Sequence, residues 1–286
     1  MEFLSPGTWA EALAAKADLP DAVPLAGGTD VMVELNFRRR RPGALLDLTR
    51  IGGLREWSEA DGLIRIGAGM PYTRIMAELG DRLPGLARAS RTVGSPQIRN
   101  RGTLGGNLGS ASPAGDGHPP LLAAGALVEA ASVRGVRTIP IGEFFLGPKR
   151  SALAPDELIA AVLVPPAPGP QQFAKIGTRN AMVIAVASFA LELRPGGADG
   201  TVGTGIGSAG PTPLRAPEAE AFAAAALPWA TRDPGLPPAL TARFAELVAA
   251  AASPIDDVRG TAAYRRHTLG VLARRTLTWA WSELCG

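Results

Sequence analysis

The sequence predicts an α+β protein, and three features of the chain support this class. The first half mixes short apolar, strand-like segments with helical ones. Within that half, residues 91–116 form a glycine-rich stretch with little helix or strand periodicity. The second half has two long strand-like segments, 182–193 and 201–206, followed by helical segments. We therefore expect a loop-bearing first part and a distinct strand-then-helix second part.

Patterns of apolar residues predict two helices and two strands before the glycine-rich stretch. A helix is expected over 8–15, where apolar residues recur on one face, and apolar runs predict buried strands at 45–48 and 63–67. A second helix is expected over 71–79, because a proline is favoured in the first turn and apolar residues then follow at helical spacing.

Strands dominate the prediction after the glycine-rich stretch. Alternating residues in 127–131 and 136–139 predict a hairpin, and the apolar run 158–164 predicts a buried strand. The proline-rich block 165–170 breaks regular structure and is typical of a domain boundary. Residues 173–177 are then expected to resume the sheet.

Three helical regions close the chain, at 216–227, 240–252 and 261–284. Residues 205–210 spell G-x-G-x-x-G, the pattern of dinucleotide-binding turns. However, Pro211 follows where that motif needs a helix, and no βαβ repeat surrounds it. We interpret this segment as a strand end and turn.

The composition limits the classes of partner. The chain has 29 basic and 26 acidic residues and a formal net charge of +3. This balance argues against a dedicated nucleic-acid binder. The densest basic cluster, Arg38–Arg41, is interpreted as a solvated loop or a contact with an acidic partner protein rather than an RNA or membrane surface.

Cysteine and histidine are scarce. The only cysteine is Cys285 and the only histidines are His118 and His267. We expect no disulfide framework and no zinc or iron–sulfur site from this inventory, so redox chemistry would need an organic cofactor. No membrane span or signal peptide is apparent, and the expected location is the cytoplasm.

The glycine-rich stretch 91–116 is predicted to hold a diphosphate. Gly105 and Gly106 lack Cβ atoms, so the backbone can adopt φ > 0 and let an anion meet several peptide N–H groups. Thr103 and Asn107 add side-chain donors on either side of this pair. The alternative is a turn-rich connection whose glycines only reverse the chain.

Besides Arg91 at its first position, the same stretch carries three charged residues. Arg99 and Arg101 raise the local positive potential without having to touch a ligand. Asp116 ends the stretch immediately before an apolar segment. It is expected to cap the next helix, to contact a ligand, or to do both.

A second glycine loop strengthens the diphosphate hypothesis. Ala26-Gly27-Gly28-Thr29-Asp30 lies between an apolar strand-like segment and a helix-compatible one. Thr29 or Asp30 is positioned to cap that helix, and both glycines are free to approach a phosphate at its positive end. A simple turn with a helix cap explains this loop alone equally well. Two such loops favour a large dinucleotide over a mononucleotide.

Other chemistries lack support in the sequence. Nothing pairs His118 or His267 with a serine, and both are expected to lie at the surface or the edge of the core. The carboxylates are scattered rather than paired, so no catalytic acid or base is predicted. A cofactor binder is the remaining hypothesis.

Several motifs together resemble a known family. They are the loop 26–30, the run Gln97-Ile-Arg-Asn-Arg-Gly-Thr-Leu-Gly-Gly-Asn107, the segment 111–116 and residues 257–267. The chain resembles, over nearly its whole length, the FAD-binding medium subunit of molybdenum hydroxylases. That group includes the medium chain of aerobic carbon monoxide dehydrogenase and the flavin domain of xanthine dehydrogenase.

The resemblance implies a fold and domain limits. The fold would be the FAD-binding type of vanillyl-alcohol oxidase (PCMH type), with two α/β subdomains and a C-terminal α+β domain. We expect FAD-binding subdomain 1 at 1–60, FAD-binding subdomain 2 at 61–177 and the C-terminal domain at 178–286.

The resemblance also implies site residues. The FAD diphosphate would lie on Ala26–Asp30 and on Thr103–Asn107, and Asp116 would contact a polar part of the cofactor. Leu153 matches a position that packs on the flavin end. Lys175 matches a lysine near the isoalloxazine ring, where a cation favours anionic reduced flavin. From the residues alone, Lys175 would be a solvated lysine at a strand edge.

The chain departs from the family at one position near the ring. Where the xanthine enzymes carry an aromatic residue, this sequence has Val93 and Gly94. The packing partner of the flavin ring is therefore not predicted.

The implied function is electron relay. A large molybdenum-cofactor subunit would oxidise the substrate, and a small [2Fe–2S] subunit would pass electrons to FAD on this chain, which would deliver them to an external acceptor. The alternatives are a free-standing FAD-dependent oxidoreductase of the same fold and a non-catalytic assembly protein.

Overall fold

The computed structural model describes all residues from 1 to 286. The N-terminal part is a three-stranded parallel sheet in the order β1-β3-β2. Its elements are β1 (Glu2–Leu4), α1 (Trp9–Asp18), β2 (Val23–Leu25), α2 (Val31–Asn36) and β3 (Ala44–Asp47). Thr8 caps α1: its side chain accepts a hydrogen bond from the N–H of Glu11, and the Glu11 carboxylate accepts one from Thr8. This reciprocal cap fixes where the first predicted helix begins.

A five-stranded antiparallel sheet follows, in the order β4-β5-β10-β6-β7. Between β5 and β6 the chain is helical, and a two-stranded hairpin precedes β10. The elements are β4 (Trp57–Ala60), β5 (Leu63–Gly67), α3 (Tyr72–Glu78), α4 (Pro84–Thr92), α5 (Pro96–Arg101), α6 (Leu104–Ser110), α7 (His118–Ala124), β6 (Leu127–Ser132), β7 (Gly135–Pro140), α8 (Ile141–Phe144), β8 (Phe145–Gly147), β9 (Arg150–Ser151) and β10 (Leu158–Val164). The predicted hairpin of 127–139 is confirmed as β6 and β7.

The expectation that residues 91–116 form an irregular loop is wrong. Most of the stretch is helical, because Ser95 and Thr103 cap two short helices: each hydroxyl oxygen accepts a hydrogen bond from a backbone N–H three residues later. Gly105 is buried in α6, and a Cβ atom there would lie 2.5 Å from that of Ala68. Neither Gly105 nor Gly106 has a positive φ angle. Gly105 therefore permits close packing rather than an unusual turn.

The third sheet and three helices form the C-terminal part. The sheet is antiparallel in the order β11-β12-β13. The elements are β11 (Gln171–Ile176), β12 (Ala187–Gly196), β13 (Asp199–Gly207), α9 (Pro217–Ala226), α10 (Pro238–Ala251) and α11 (Ala262–Cys285). Residues 173–177 thus do not resume the second sheet, since β11 pairs only with β12. The domain limits 1–60, 61–177 and 178–286 stay a prediction.

Glycines of β13 let α7 lie directly on the third sheet. A Cβ atom at Gly205 would lie 2.0 Å from the carbonyl oxygen of Pro119, and one at Gly203 would lie 2.1 Å from that of Ala123. The G-x-G-x-x-G segment is a strand end followed by a turn, as predicted. Its first glycine serves helix-on-sheet packing. The C-terminal part therefore supports the helix that begins just after Asp116.

No helix is both long and apolar enough to cross a bilayer.

Candidate functional site

The two glycine loops of the sequence are in direct contact. A Cβ atom at Gly27 would lie 1.9 Å from the carbonyl oxygen of Arg101. One at Gly102 would lie 3.5 Å from Oγ1 of Thr29. The loop 26–30 therefore packs, backbone against backbone, on the segment that leads from α5 into α6.

The loop 26–30 presents a row of unused donors. The backbone N–H groups of Gly27, Gly28, Thr29 and Asp30 make no hydrogen bond within the chain. Gly28 has a φ of 75°, a left-handed conformation that favours glycine. Successive free N–H groups beside a left-handed residue, just before a helix, can bind an anion.

The expected helix cap in this loop is wrong. Asp30 occupies the N-cap position of α2, yet its side chain makes no capping hydrogen bond. Its backbone angles, φ −99° and ψ −49°, are helical rather than extended, so the carboxylate is not turned back toward the first turn. The carboxylate of Asp30 is therefore left without a role in capping.

The start of α6 is already hydrogen-bonded within the fold. The N–H of Gly106 donates to Thr103 Oγ1 at 3.0 Å, and the N–H of Gly105 donates to a backbone carbonyl just after β5 at 2.9 Å. These peptide groups are not free to meet an anion, contrary to expectation. Asn107 Oδ1 accepts from the N–H of Gly117 at 3.2 Å, and its side-chain amide nitrogen has no partner. The Asn107 amide is therefore a free side-chain donor in this segment.

Asp116 and Lys175 form a buried ion pair. Lys175 Nζ lies 2.5 Å from Asp116 Oδ2 and donates to the carbonyl oxygen of Thr92 at 3.1 Å. The two side chains are only 6% and 9% exposed. Burial raises the pKa of Asp116, against the lowering by the charge and hydrogen bond of Lys175 and the hydroxyl of Thr92. Asp116 Oδ1 is buried without a partner.

This pair corrects two expectations from the sequence. Lys175 is not a solvated lysine, because its side chain points into the interface between β11 and the helices before β6. Asp116 does not cap α7, since Gly117 occupies the N-cap and receives no side-chain cap. The aspartate is used for charge pairing instead.

His118 is fully buried, so the expectation of a surface or core-edge histidine is wrong. Its Nε2 lies 3.1 Å from the carbonyl oxygen of Asn107, and its ring centroid is 4.5 Å from that of Phe145. Burial lowers the pKa of His118 to about 4, against the effect of its backbone hydrogen bonds. The ring is therefore neutral at pH 7.

Tyr72 is a site residue that sequence reasoning missed. Its hydroxyl group is buried without a hydrogen-bond partner. Burial raises its pKa, as do the negative charges of Asp116 and Asp30. The ring adjoins Gly102 and the hydroxyl group adjoins Gly117, since a Cβ atom at either glycine would lie 3.5 Å from Tyr72. Nothing in the local sequence marks Tyr72, because its role depends on contacts between distant segments.

Leu153 follows a hairpin at the edge of the site. The N–H of Lys149, at the hairpin tip, donates to the carbonyl oxygen of Ala111, and Lys149 Nζ pairs with Glu34 of α2 at 3.1 Å. Leu153 itself is half-buried against the core of the second sheet. No hydrogen bond ties it to the other predicted residues.

Two family models match successive parts of the chain. A family model described as "FAD binding domain in molybdopterin dehydrogenase" matches residues 1–167, and one described as "CO dehydrogenase flavoprotein C-terminal domain" matches residues 172–280. The chain belongs to the FAD-binding medium subunits of the molybdenum hydroxylases. The predicted family and cofactor are confirmed: this is a flavoprotein subunit of an oxidoreductase, and its cofactor is FAD.

Individual medium subunits resemble the chain along its whole length. The nicotine 6-hydroxylase medium subunit of Paenarthrobacter nicotinovorans is 31% identical, covering 98% of this chain and 97% of that one. The carbon monoxide dehydrogenase medium chain of Hydrogenophaga pseudoflava is 31% identical, covering 99% and 97%.

Solved structures carry the same fold. A carbon monoxide dehydrogenase structure from Hydrogenophaga pseudoflava superposes with a TM-score of 0.91 at 29% identity, covering 99% of this chain and 98% of that one. Quinoline 2-oxidoreductase from Pseudomonas putida 86 gives 0.91 at 24% identity, which supports the fold alone. The α+β class and the FAD-binding fold predicted for this medium subunit are confirmed.

Removing the lysine of the buried pair is expected to destabilise the medium subunit. Lys175→Met leaves Asp116 as an uncompensated buried charge, which typically costs about 3–5 kcal/mol. Asp116→Asn combined with Lys175→Met removes both charges and should recover most of that loss. Urea unfolding at pH 7 measures the free energies. Additive losses in the double variant would contradict a coupled pair.

The buried histidine predicts a pH dependence of stability. Its pKa is about 4 in the folded chain and 6.5 as the reference for the unfolded one. The unfolded state binds the extra proton between these values, so stability falls as the pH drops from 6.5 to 4, by about 3 kcal/mol. We expect His118→Gln to lose less stability than the natural chain over this interval. Urea unfolding of both proteins at pH 6.5 and pH 4 measures these losses. Equal losses in the variant and the natural chain would show that His118 is not responsible.

Proposed function

We propose that the chain is the electron-relay subunit of a heteromeric molybdenum hydroxylase. With FAD bound, it accepts electrons from [2Fe–2S] clusters on a small partner subunit and passes them to an external acceptor. A large subunit with the molybdenum cofactor carries out the substrate chemistry. The observation that carries this proposal is the contact between the two glycine loops, one of which presents four unused peptide N–H groups.

Those donors fit the diphosphate of FAD. The N–H groups of residues 27–30 provide neutral, directional hydrogen bonds to phosphate oxygens, at the N-terminus of α2. The free amide of Asn107 adds a donor from the other segment. Ala26 begins the loop, and Thr103 holds the start of α6 through its capping hydroxyl. In this proposal the loop 26–30 binds the diphosphate, and the segment that begins at Thr103 supports that loop.

The flavin end would lie toward Asp116, Leu153 and Lys175. FAD supplies the chemistry, since it exchanges electrons singly or in pairs. The buried oxygen Asp116 Oδ1 has no partner in the chain and could accept a hydrogen bond from a hydroxyl group of the cofactor. A small movement of the surrounding side chains would expose this oxygen to that hydroxyl group. Lys175 holds that carboxylate in place.

The ion pair limits the electrostatic role of Lys175. Because Asp116 Oδ2 is 2.5 Å from Lys175 Nζ, the two charges together act on a neighbouring group as a dipole rather than as an isolated cation. Lys175 then favours negative charge on the flavin less than an unpaired lysine would. Its main contribution is to orient Asp116.

The names of relatives support assembly with partners. The similar proteins include a "medium subunit" and two "medium chains", terms that describe one chain of a larger enzyme. No cluster of three or more histidine, cysteine, aspartate or glutamate side chains in this chain is arranged to hold a metal ion. The molybdenum and iron–sulfur centres are therefore assigned to partner subunits.

Purification from its natural host should test the assembly. We expect the chain to co-purify with a molybdenum-containing large polypeptide and an iron–sulfur polypeptide, and to release FAD on denaturation. Substrate added without an acceptor should bleach the flavin absorption of the complex. A yellow chain that purifies alone and turns over its own substrate would instead indicate a free-standing oxidoreductase.

Adding a methyl group at Gly27 should weaken FAD binding. In Gly27→Ala the new methyl group meets the Arg101 carbonyl, and overpacking of this kind costs about 1–3 kcal/mol, or roughly ten- to a hundredfold in affinity if the loop is displaced. Titration of the FAD-free chain with FAD, followed by flavin fluorescence, measures the affinity.

Gly142→Ala is the matched control, because nothing lies within 4 Å of a Cβ atom there and its φ is not positive. Equal FAD affinity in the two variants would contradict the placement of the diphosphate on this loop.

A further inference from the structure

The charges around the two loops are unevenly paired. Lys149 is neutralised by Glu34 at 3.1 Å, and Lys175 by Asp116 at 2.5 Å. Arg101, the last residue of α5, is exposed, and its side chain has neither an ion pair nor a hydrogen bond. It is thus a cation beside the loop 26–30 whose side chain has no partner within the chain.

Backbone contact fixes Arg101 next to the free donors. Its carbonyl oxygen is the atom that a Cβ on Gly27 would strike, and Gly102, which follows it, adjoins the hydroxyl of Thr29. The neighbouring arginine differs: Arg99 Nη1 donates to the carbonyl oxygens of Val93 at 3.0 Å and Gly94 at 3.2 Å. Arg99 is therefore held by its own turn, whereas the Arg101 side chain is available to a ligand.

The anion expected here needs a counter-charge. A diphosphate linker carries two negative charges, while the N–H groups of residues 27–30 are neutral. The carboxylate of Asp30 belongs to the same loop, is exposed and has no salt-bridge partner, so it opposes an anion. A guanidinium offsets that repulsion, and its planar donors match phosphate oxygens in pairs.

We propose that Arg101 is a cofactor-binding residue whose guanidinium group contacts the diphosphate of FAD. This inference rests on the proposed function, because it places the diphosphate on the loop 26–30. Arg101 and the loop then act together: the peptide N–H groups set the position of the phosphates, and the arginine supplies the charge. The contribution of Arg101 depends on ionic strength, since the site is open to solvent.

Titration of the FAD-free chain with FAD at low and high salt tests the assignment. A charge-assisted hydrogen bond contributes about 1.5–3 kcal/mol, so Arg101→Gln should bind FAD about ten- to a hundredfold more weakly at low salt. The dependence of affinity on salt should also be smaller in this variant. Arg101→Lys keeps the charge but loses the paired donors, and it should bind with intermediate affinity.

Arg274→Gln is the matched control. Arg274 is an exposed arginine of α11 without an ion pair, and α11 packs on α10 and the third sheet. This control should bind FAD as the natural chain does. The Arg101 side chain is exposed and makes neither an ion pair nor a hydrogen bond, so the thermal unfolding of the FAD-free variants should match that of the natural chain.

The outcomes separate this inference from the proposed function. If the natural chain binds FAD and Arg101→Gln binds it equally well with the same salt dependence, Arg101 is not a ligand and the relay function is untouched. An equal loss of affinity in Arg274→Gln would attribute the effect to net charge and also overturn the assignment. A natural chain that does not bind FAD would overturn both proposals.

Discussion

Gly27 lies so close to the carbonyl group of Arg101 that no side chain can occupy its position without displacing one of the two segments. This contact joins the parallel N-terminal sheet to the helices that lie between β5 and β6 of the second sheet. The peptide N–H groups of residues 27–30 at this contact make no hydrogen bond within the chain. Because unpaired N–H groups are unfavourable unless water or a ligand binds them, the contact that builds the fold here also builds an anion site.

The C-terminal part stabilises the other end of the site. The absence of Cβ atoms at Gly203 and Gly205 allows α7 to lie directly on β13, and α7 begins two residues after Asp116. Lys175 comes from β11 of the same sheet and pairs with that aspartate. The packing of the third sheet against α7 therefore also orients Asp116. Under the proposed placement of FAD, a disturbance of this interface should therefore also change the orientation of Asp116 toward the cofactor.

The parts of the fold that depend on local patterns were predictable. The β6–β7 hairpin, the long strands β12 and β13 and helix α11 follow from alternation or helical periodicity along the chain. The helices α5 and α6 were missed because they are one or two turns long and rich in glycine and polar residues. In the site, the loop 26–30 was recognisable from its glycines. The Asp116–Lys175 pair spans 59 residues of sequence, and no local signal marks it.

If FAD binds as proposed, electrostatic balance explains how both of its ends are held by so few free charges. At the buried end, Asp116 and Lys175 compensate each other, so neither charge has to be desolvated alone. At the exposed end, Arg101 stays unpaired, and water screens its charge until an anion arrives. A buried, unpaired cation would cost stability in the FAD-free chain, whereas an exposed one does not. Placing the neutral pair inside and the free arginine outside lets the apoprotein remain folded and still attract a dianionic linker.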